Sequence, residues 1–395
     1  MTETFADLVI TGCSEVVTCD GNLGRIAKGA VAVQGKTIVW VGLESEMRTN
    51  VVITPDTLEV QANGCAVIPG FVDAHTHLVF AGERRDEFAA RSKGIPYAAG
   101  GILKTVADTR SASFDELVEL AMRRCDEMIA HGTTTAEAKS GYALEAEGEL
   151  RLLNVVSEVN RRHRIDLEAT FLGAHAVADG CEPEEYVESV INEMIPLCSP
   201  YAKWCDVFCD VGAFTPEQSK RILEAGVRAG LVPRIHANEL ASSGGATVAA
   251  EVGAASADHL LFLDRDEAEG LARVGCVGVL APTTALSLGR FPDVDLMREG
   301  GMTLAIASDL NPGMAPVGNL QFAMSIATRT MKMSQEDVLM AVTVGGAAAL
   351  RRNDIGRIAP GCLADLVILR SESSNDLGYA AGTNLVKQVI KRGRT

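Results

Sequence analysis

Phe71-Val72-Asp73-Ala74-His75-Thr76-His77-Leu78 is the stretch around which the chain is organised. The apolar run before it, Ala66-Val67-Ile68-Pro69-Gly70, reads as a buried strand carrying its own turn signal, and a strand is expected near 66–73. Residues two apart on an extended chain point to the same side, so His75 and His77 can face one point. Two neutral imidazoles meeting there begin a divalent metal site. Taken alone, a His-x-His pair is more often two surface histidines at a strand end. The remaining sequence decides against that reading.

Downstream, strands and helices alternate. Apolar strand candidates fall near 66–73, 133–138, 167–173, 204–209, 232–236, 255–259, 276–281 and 303–308. Most intervals carry a helical pattern. Ser113-Phe114-Asp115-Glu116 has the form of a capping box, and Leu117, Leu120, Ala121, Cys125 and Met128 then keep one face until Gly132. Thr215-Pro216-Glu217-Gln218 opens a second helix that Gly230 closes, and Ser334-Gln335-Glu336-Asp337 opens another. Eight strands, each feeding a helix over about 280 residues, predict a (β/α)8 barrel. No Gly-x-Gly-x-x-Gly follows any strand, which argues against an open dinucleotide-binding sheet. The chain ends differ from the middle: 7–10, 30–33 and 37–41 at the start, and 364–369 and 386–390 at the close, read as short strands. The expected division is therefore 1–65 and 351–395 as the two parts of a small β-sandwich, with 66–350 as the barrel.

Bulk properties narrow the partners. With 47% hydrophobic and 22% charged residues the chain is that of an ordinary globular protein. A net charge of -16 speaks against nucleic acid, which needs clustered Lys and Arg. Met1-Thr2-Glu3-Thr4-Phe5-Ala6-Asp7 lacks the basic and apolar regions of a secretory signal. No apolar run approaches the ~18–20 residues of a membrane helix. Ten cysteines without framework spacing are expected to be reduced thiols, Cys205 and Cys209 included, in a cytoplasmic protein without a membrane partner.

In such a barrel the chemistry comes from the C-terminal ends of the strands. Five of the seven histidines fall there: His75 and His77 after strand one, His175 after strand three, His236 on strand five and His259 on strand six. His131 and His163 lie at helix ends and read as structural. Asp309, after strand eight, completes three histidines and a carboxylate. Each has an ordinary explanation alone: a buried imidazole for His236, a turn former for Asp309 before Asn311-Pro312-Gly313. All six at one rim are not so explained.

This constellation resembles the amidohydrolase superfamily, whose members set a β-sandwich from both chain ends beside the barrel. The closing run Gly356-Arg357-Ile358-Ala359-Pro360-Gly361 is similar to that superfamily's returning strand. Within it the chain is similar to the imidazolonepropionase family of histidine degradation. The matching blocks include His75 to Gly82, Gly132 to Tyr142 with Lys139-Ser140-Gly141-Tyr142, Phe171 to His175, Asp206 to Cys209, Ala257-Asp258-His259 and Ser308 to Gly313. The chain departs from the family pattern at Asn238, where His-Ala-Asp is usual. It departs also at Tyr142-Ala143-Leu144 and at Ala99-Gly100-Gly101, a shortened triple glycine.

The resemblance implies metal-dependent hydrolysis of the lactam C–N bond of imidazolonepropionate. It implies His75, His77, His236 and Asp309 as metal ligands and Glu239, His259 and Asp309 as catalytic groups. Arg84, Tyr142, His175 and Asn311 would contact substrate, Arg84 being favoured over Arg85 as the carboxylate fork. Strand four offers no lysine at its end, so one metal is expected, Zn2+ or Fe2+/Fe3+. A homodimer is implied as well. Two other readings stand beside this one. A deaminase of a cyclic amidine would share the ligands but need no carboxylate clamp, and a barrel kept only for binding would not need intact ligands.

Overall fold

The computed structural model describes residues 4–91, 93 and 101–395. Ala99 and Gly100 of the altered glycine run lie outside the described residues; Gly101 opens the helix Gly101–Ser111.

Eight parallel strands succeed one another in chain order around a nearly closed barrel. They are β1 (Phe71–Asp73), β2 (Thr133–Lys139), β3 (Asp166–Ala174), β4 (Trp204–Cys209), β5 (Ile235–Ala237), β6 (Ser256–His259), β7 (Val277–Leu280) and β8 (Leu304–Ile306). Helices fill the intervals, started where their caps say. Ser113 accepts from the Glu116 amide, and the Thr215–Gln218 and Ser334–Asp337 boxes close in both directions. Gly132 and Gly230 end their helices with φ of 100° and 88°.

The seam between β8 and β1 closes at the rim and not by a continuous ladder. His77 N donates to Leu310 O (2.9 Å), Asp309 N to His75 O (3.1 Å), and Ser308 N to Asp73 Oδ1 (3.0 Å). The closing contacts thus fix the segments that carry three of the predicted ligands. Deeper in the seam, the turn Ala341–Gly345 packs against β8 and β1. A Cβ on Gly345 would collide with Leu304 O, and one on Gly346 with Val72 O, so only glycine lets that helix approach.

The strand expected near 66–73 is two strands. Val67–Pro69 pairs with Leu366–Leu369 and Glu15–Val17 in a five-stranded sheet, and Gly70 passes the chain on to β1. A four-stranded sheet of Thr37–Leu43, Gly29–Gln34, Leu8–Thr11 and Leu58–Gln61 faces it. Leu8, Ile10, Val31, Val33 and Ile38 from one sheet pack with Val67, Leu366, Ile368 and Ile390 from the other. Val367 and Leu369 alternate to the opposite face and join the barrel core. Both chain ends thereby build one β-rich unit on the barrel. All ten cysteines are free thiols. Among the described residues no helix is long and apolar enough to cross a membrane.

Candidate active site

β1 delivers His75 and His77 to the rim, and β5, β6 and β8 deliver His236, His259 and Asp309. Positive φ marks this rim: His259 lies at 76°, Asp309 at 51° and Asn238 at 51°. For residues with a Cβ this region is costly.

The donors converge. His77 Nε2 lies 3.3 Å from His75 Nε2 and 3.2 Å from His236 Nε2. Asp309 Oδ1 lies 3.4 Å from His75 Nε2 and 3.6 Å from His77 Nε2. Ligands of a tetrahedral ion held at about 2.0–2.1 Å stand about 3.3 Å apart, so these separations suit one cation. His75, His236 and His259 form a second set whose donor atoms lie within 4.8 Å of one another. His259 Nε2 is buried and has no hydrogen-bond partner. A buried lone pair without a donor fits a site built for a cation.

The outer nitrogens are oriented. His75 Nδ1–H donates to Asp258 Oδ2 at 2.6 Å, and His236 Nδ1–H to Asp206 Oδ1 at 3.1 Å. Each bond leaves Nε2 for the centre. Burial, with the His175 ring next, holds His77 well below the ordinary histidine range; burial takes His259 down to about 3. Both are therefore neutral donors. For His75, burial and Lys139 oppose a charge, yet Asp258 and Asp309 outweigh them and push the imidazole up to about 9. Burial resists ionisation of Asp309, but His75, His259 and the hydroxyl of Thr284 hold its carboxyl below the usual range.

The remaining predicted residues line one cavity beside these donors. Arg84, Tyr142, His175, Glu239, His259, Asp309 and Asn311 are all on its wall. Arg85 is not: its side chain is 87% exposed and pairs with Glu83. Arg84 Nε and Nη2 donate to the two oxygens of Glu87 at 2.7 and 2.8 Å. His175 stacks on His77 with centroids 4.8 Å apart, and its Nδ1–H donates to Gly141 O at 2.9 Å. Burial, then His236, brings its pKa to about 3. Asn311 gives Nδ2 to Asp309 O and accepts from the Gly313 and Met314 amides, so it braces the loop bearing Asp309.

Burial raises Glu239 to about 8, helped by Asp309 and Asp210. Asp210 accepts the Glu239 and Leu240 amides at 2.7 and 2.8 Å and fixes that turn. Asn238 faces Phe262 O and Glu267, away from the cavity. His131 and His163 are helix C-caps, as expected. Sequence reasoning did not single out Asp206, Asp258 or Asp210 as orienting groups. The signal was present: β4 and β6 are buried at every residue, yet each carries a carboxylate.

An amidohydrolase family model matches residues 210–395. An imidazolonepropionase of Cutibacterium acnes is 43% identical over 393 residues, covering 98% of this chain and 96% of that protein. One from Alkaliphilus metalliredigens is 39% identical over 413 residues, covering 99% and 98%. Among solved structures, an adenosine deaminase of Xanthomonas campestris with bound zinc superposes with a TM-score of 0.76 at 20% identity, covering all of this chain and 93% of that one. At that identity the likeness concerns the fold.

Proposed function

The chain belongs to the imidazolonepropionase family, and from that membership we propose how its rim residues divide the work. The protein is a hydrolase that opens the lactam C–N bond of 4-imidazolone-5-propanoate, yielding N-formimino-L-glutamate in L-histidine breakdown. In this assignment a single zinc or iron ion is held by His75, His77, His236 and Asp309. The observation that carries it is the meeting of three imidazole Nε2 atoms and one carboxylate oxygen at 3.2–3.6 Å. Such a cation lowers the pKa of water from 15.7 to ~7 and polarises a carbonyl oxygen.

Burial holds the Glu239 carboxyl at a pKa of about 8 before a cation fills the site, so it gives up and regains a proton close to neutral pH. It takes a proton from the attacking water and passes it to the ring nitrogen that leaves as the C–N bond breaks. His259 presents its unpartnered Nε2 as an acceptor for a proton of the attacking water. Asp309 shares the proton work. Arg84 and Tyr142 take the propionate, the guanidinium matching a carboxylate. His175, whose Nδ1–H is committed to Gly141, offers Nε2 as an acceptor to the ring. Asn311 holds Asp309 in place. A cytoplasmic homodimer without nucleic-acid or membrane partners completes the proposal.

The test is loss of the ultraviolet absorbance of imidazolonepropionate. It uses metal-stripped protein, then the same protein given one equivalent of zinc or of iron(II). Turnover restored by one equivalent supports the assignment; two tightly bound ions per chain, or no turnover after either metal, overturns it.

A further inference from the structure

Beneath the donors lies a layer of charge that the assignment above leaves unused. Lys139, at the end of β2, is fully buried, and its Nζ donates to Glu137 Oε1 at 2.9 Å and Asp206 Oδ2 at 2.7 Å. Asp258 Oδ2 lies 3.9 Å from it. Each of these three carboxylates braces one ligand segment. Glu137 Oε2 accepts the amide of Thr76, between His75 and His77, at 3.0 Å. Asp206 Oδ1 accepts from His236 Nδ1, and Asp258 Oδ2 from His75 Nδ1. Arg234 adds a second buried cation, 3.6 Å from Asp258 and bonded to Ala74 O.

A buried ion cluster is weak evidence for stability, because desolvation offsets its attraction. Geometry gives it another use. A carboxylate has two oxygens, and the lysine takes one from Glu137 and one from Asp206. The oxygen left over then has a fixed position, toward Thr76 N in one case and toward His236 Nδ1 in the other. We propose that Lys139 is a positioning residue for the metal centre: its ammonium sets the two carboxylate planes that present His75, His77 and His236 with Nε2 inward. This rests on the metal assignment above, and it gives Lys139 a role as an ammonium and not as a bridging carbamate.

Asp206→Asn reads the lysine directly. If Nζ dictates orientation, the new amide must give its oxygen to Nζ and turn its NH2 to His236 Nδ1. The imidazole then shifts its proton to Nε2 and loses the lone pair that faces the centre. Zinc affinity of the metal-stripped protein, measured by competition with a chromophoric chelator, should fall ~10–100-fold. Nitrogen NMR of metal-free D206N should show His236 carrying its proton on Nε2. Adding Lys139→Met frees the amide to turn, so D206N/K139M should bind zinc more tightly than D206N. A purely structural lysine predicts no such gain. Wild-type zinc affinity in D206N, or a proton still on Nδ1, overturns the proposal, and both readouts need only the conservative variant. Failure of the wild type to bind either zinc or iron(II) would refute the metal assignment instead, while the tautomer would still decide the role of Lys139.

Discussion

Glu239 and Arg84 are the two residues whose surroundings make the sharpest statements about chemistry. Glu239→Gln keeps size and hydrogen bonding but cannot shuttle a proton. Its kcat should fall by ~10²–10⁴ with metal content unchanged. Turnover near wild type would reduce Glu239 to part of the cavity wall. Arg84 is buried on the cavity while Arg85 points to solvent, so the two arginines, ambiguous in sequence, separate by exposure. Removing a charge-assisted hydrogen-bond partner costs about 1.5–3 kcal/mol. Arg84→Ala should therefore lower kcat/KM about ten- to two-hundredfold, mainly through KM. A substrate analogue with a neutral group in place of the propionate should suffer little further loss in that variant. Full additivity of the two losses would show that Arg84 does not hold the carboxylate.

Among the elements, the turn after β2 is held by one buried side chain. Glu149 Oε2 accepts the Gly141 amide at 2.6 Å, and Oε1 accepts those of Ala143 and Leu144 at 2.8 Å. Leu144 has a φ of 53°, costly for a residue with a Cβ, so the turn that carries Tyr142 depends on that carboxylate. Glu149→Gln puts an NH2 against one of those amides. Hydrogen exchange at 141, 143 and 144 should speed up, and KM should rise more than kcat falls. Unchanged protection at these amides would sink this account. Elements also show what the sequence could reveal. Strand ends bearing histidine, and helices opened by capping residues, follow local rules and were readable. The break at Gly70 was not read as one, although Pro69-Gly70 is a turn signal, because Val67–Pro69 and β1 are buried on every residue by two different sheets and apolar residues continue on both sides of it. Strand five is likewise in two pieces, Val232–Pro233 and Ile235–Ala237, with Arg234 between them bonded to Ala74 O. The histidines proposed as ligands were legible because their type and register are rare together. Their orienting carboxylates needed the cross-strand neighbours.

At the scale of the whole molecule, the buried charges tie stability to pH and to metal. Burial opposes ionisation of Asp206 and Asp258, but His236 and Lys139 for the first, and Arg234 and His75 for the second, hold both carboxyls below their ordinary value of 3.8. Their contribution is full above that value and is lost as pH falls toward the folded pKa. Glu239 acts in the opposite sense. Its folded pKa of about 8 exceeds the ordinary 4.5, so the native state holds the extra proton and stability declines as pH rises through that window. His75, raised from 6.5 to about 9, stabilises fully below 6.5 and loses that contribution as pH rises through 9. His77, His175 and His259, held neutral by burial, act the other way up to their ordinary 6.5, so metal-free protein should weaken with rising pH only above about pH 7. A cation reverses the contributions of His75 and Glu239, since it needs a bare His75 Nε2 and favours an ionised Glu239. The gap in Tm between zinc-loaded and stripped protein should widen from pH 6 to pH 8.5 in scanning calorimetry. Zinc binding near pH 7 should also release protons, seen as heats that vary with the ionisation enthalpy of the buffer. A constant gap and buffer-independent heats would mean that neither His75 nor Glu239 changes protonation when the site fills.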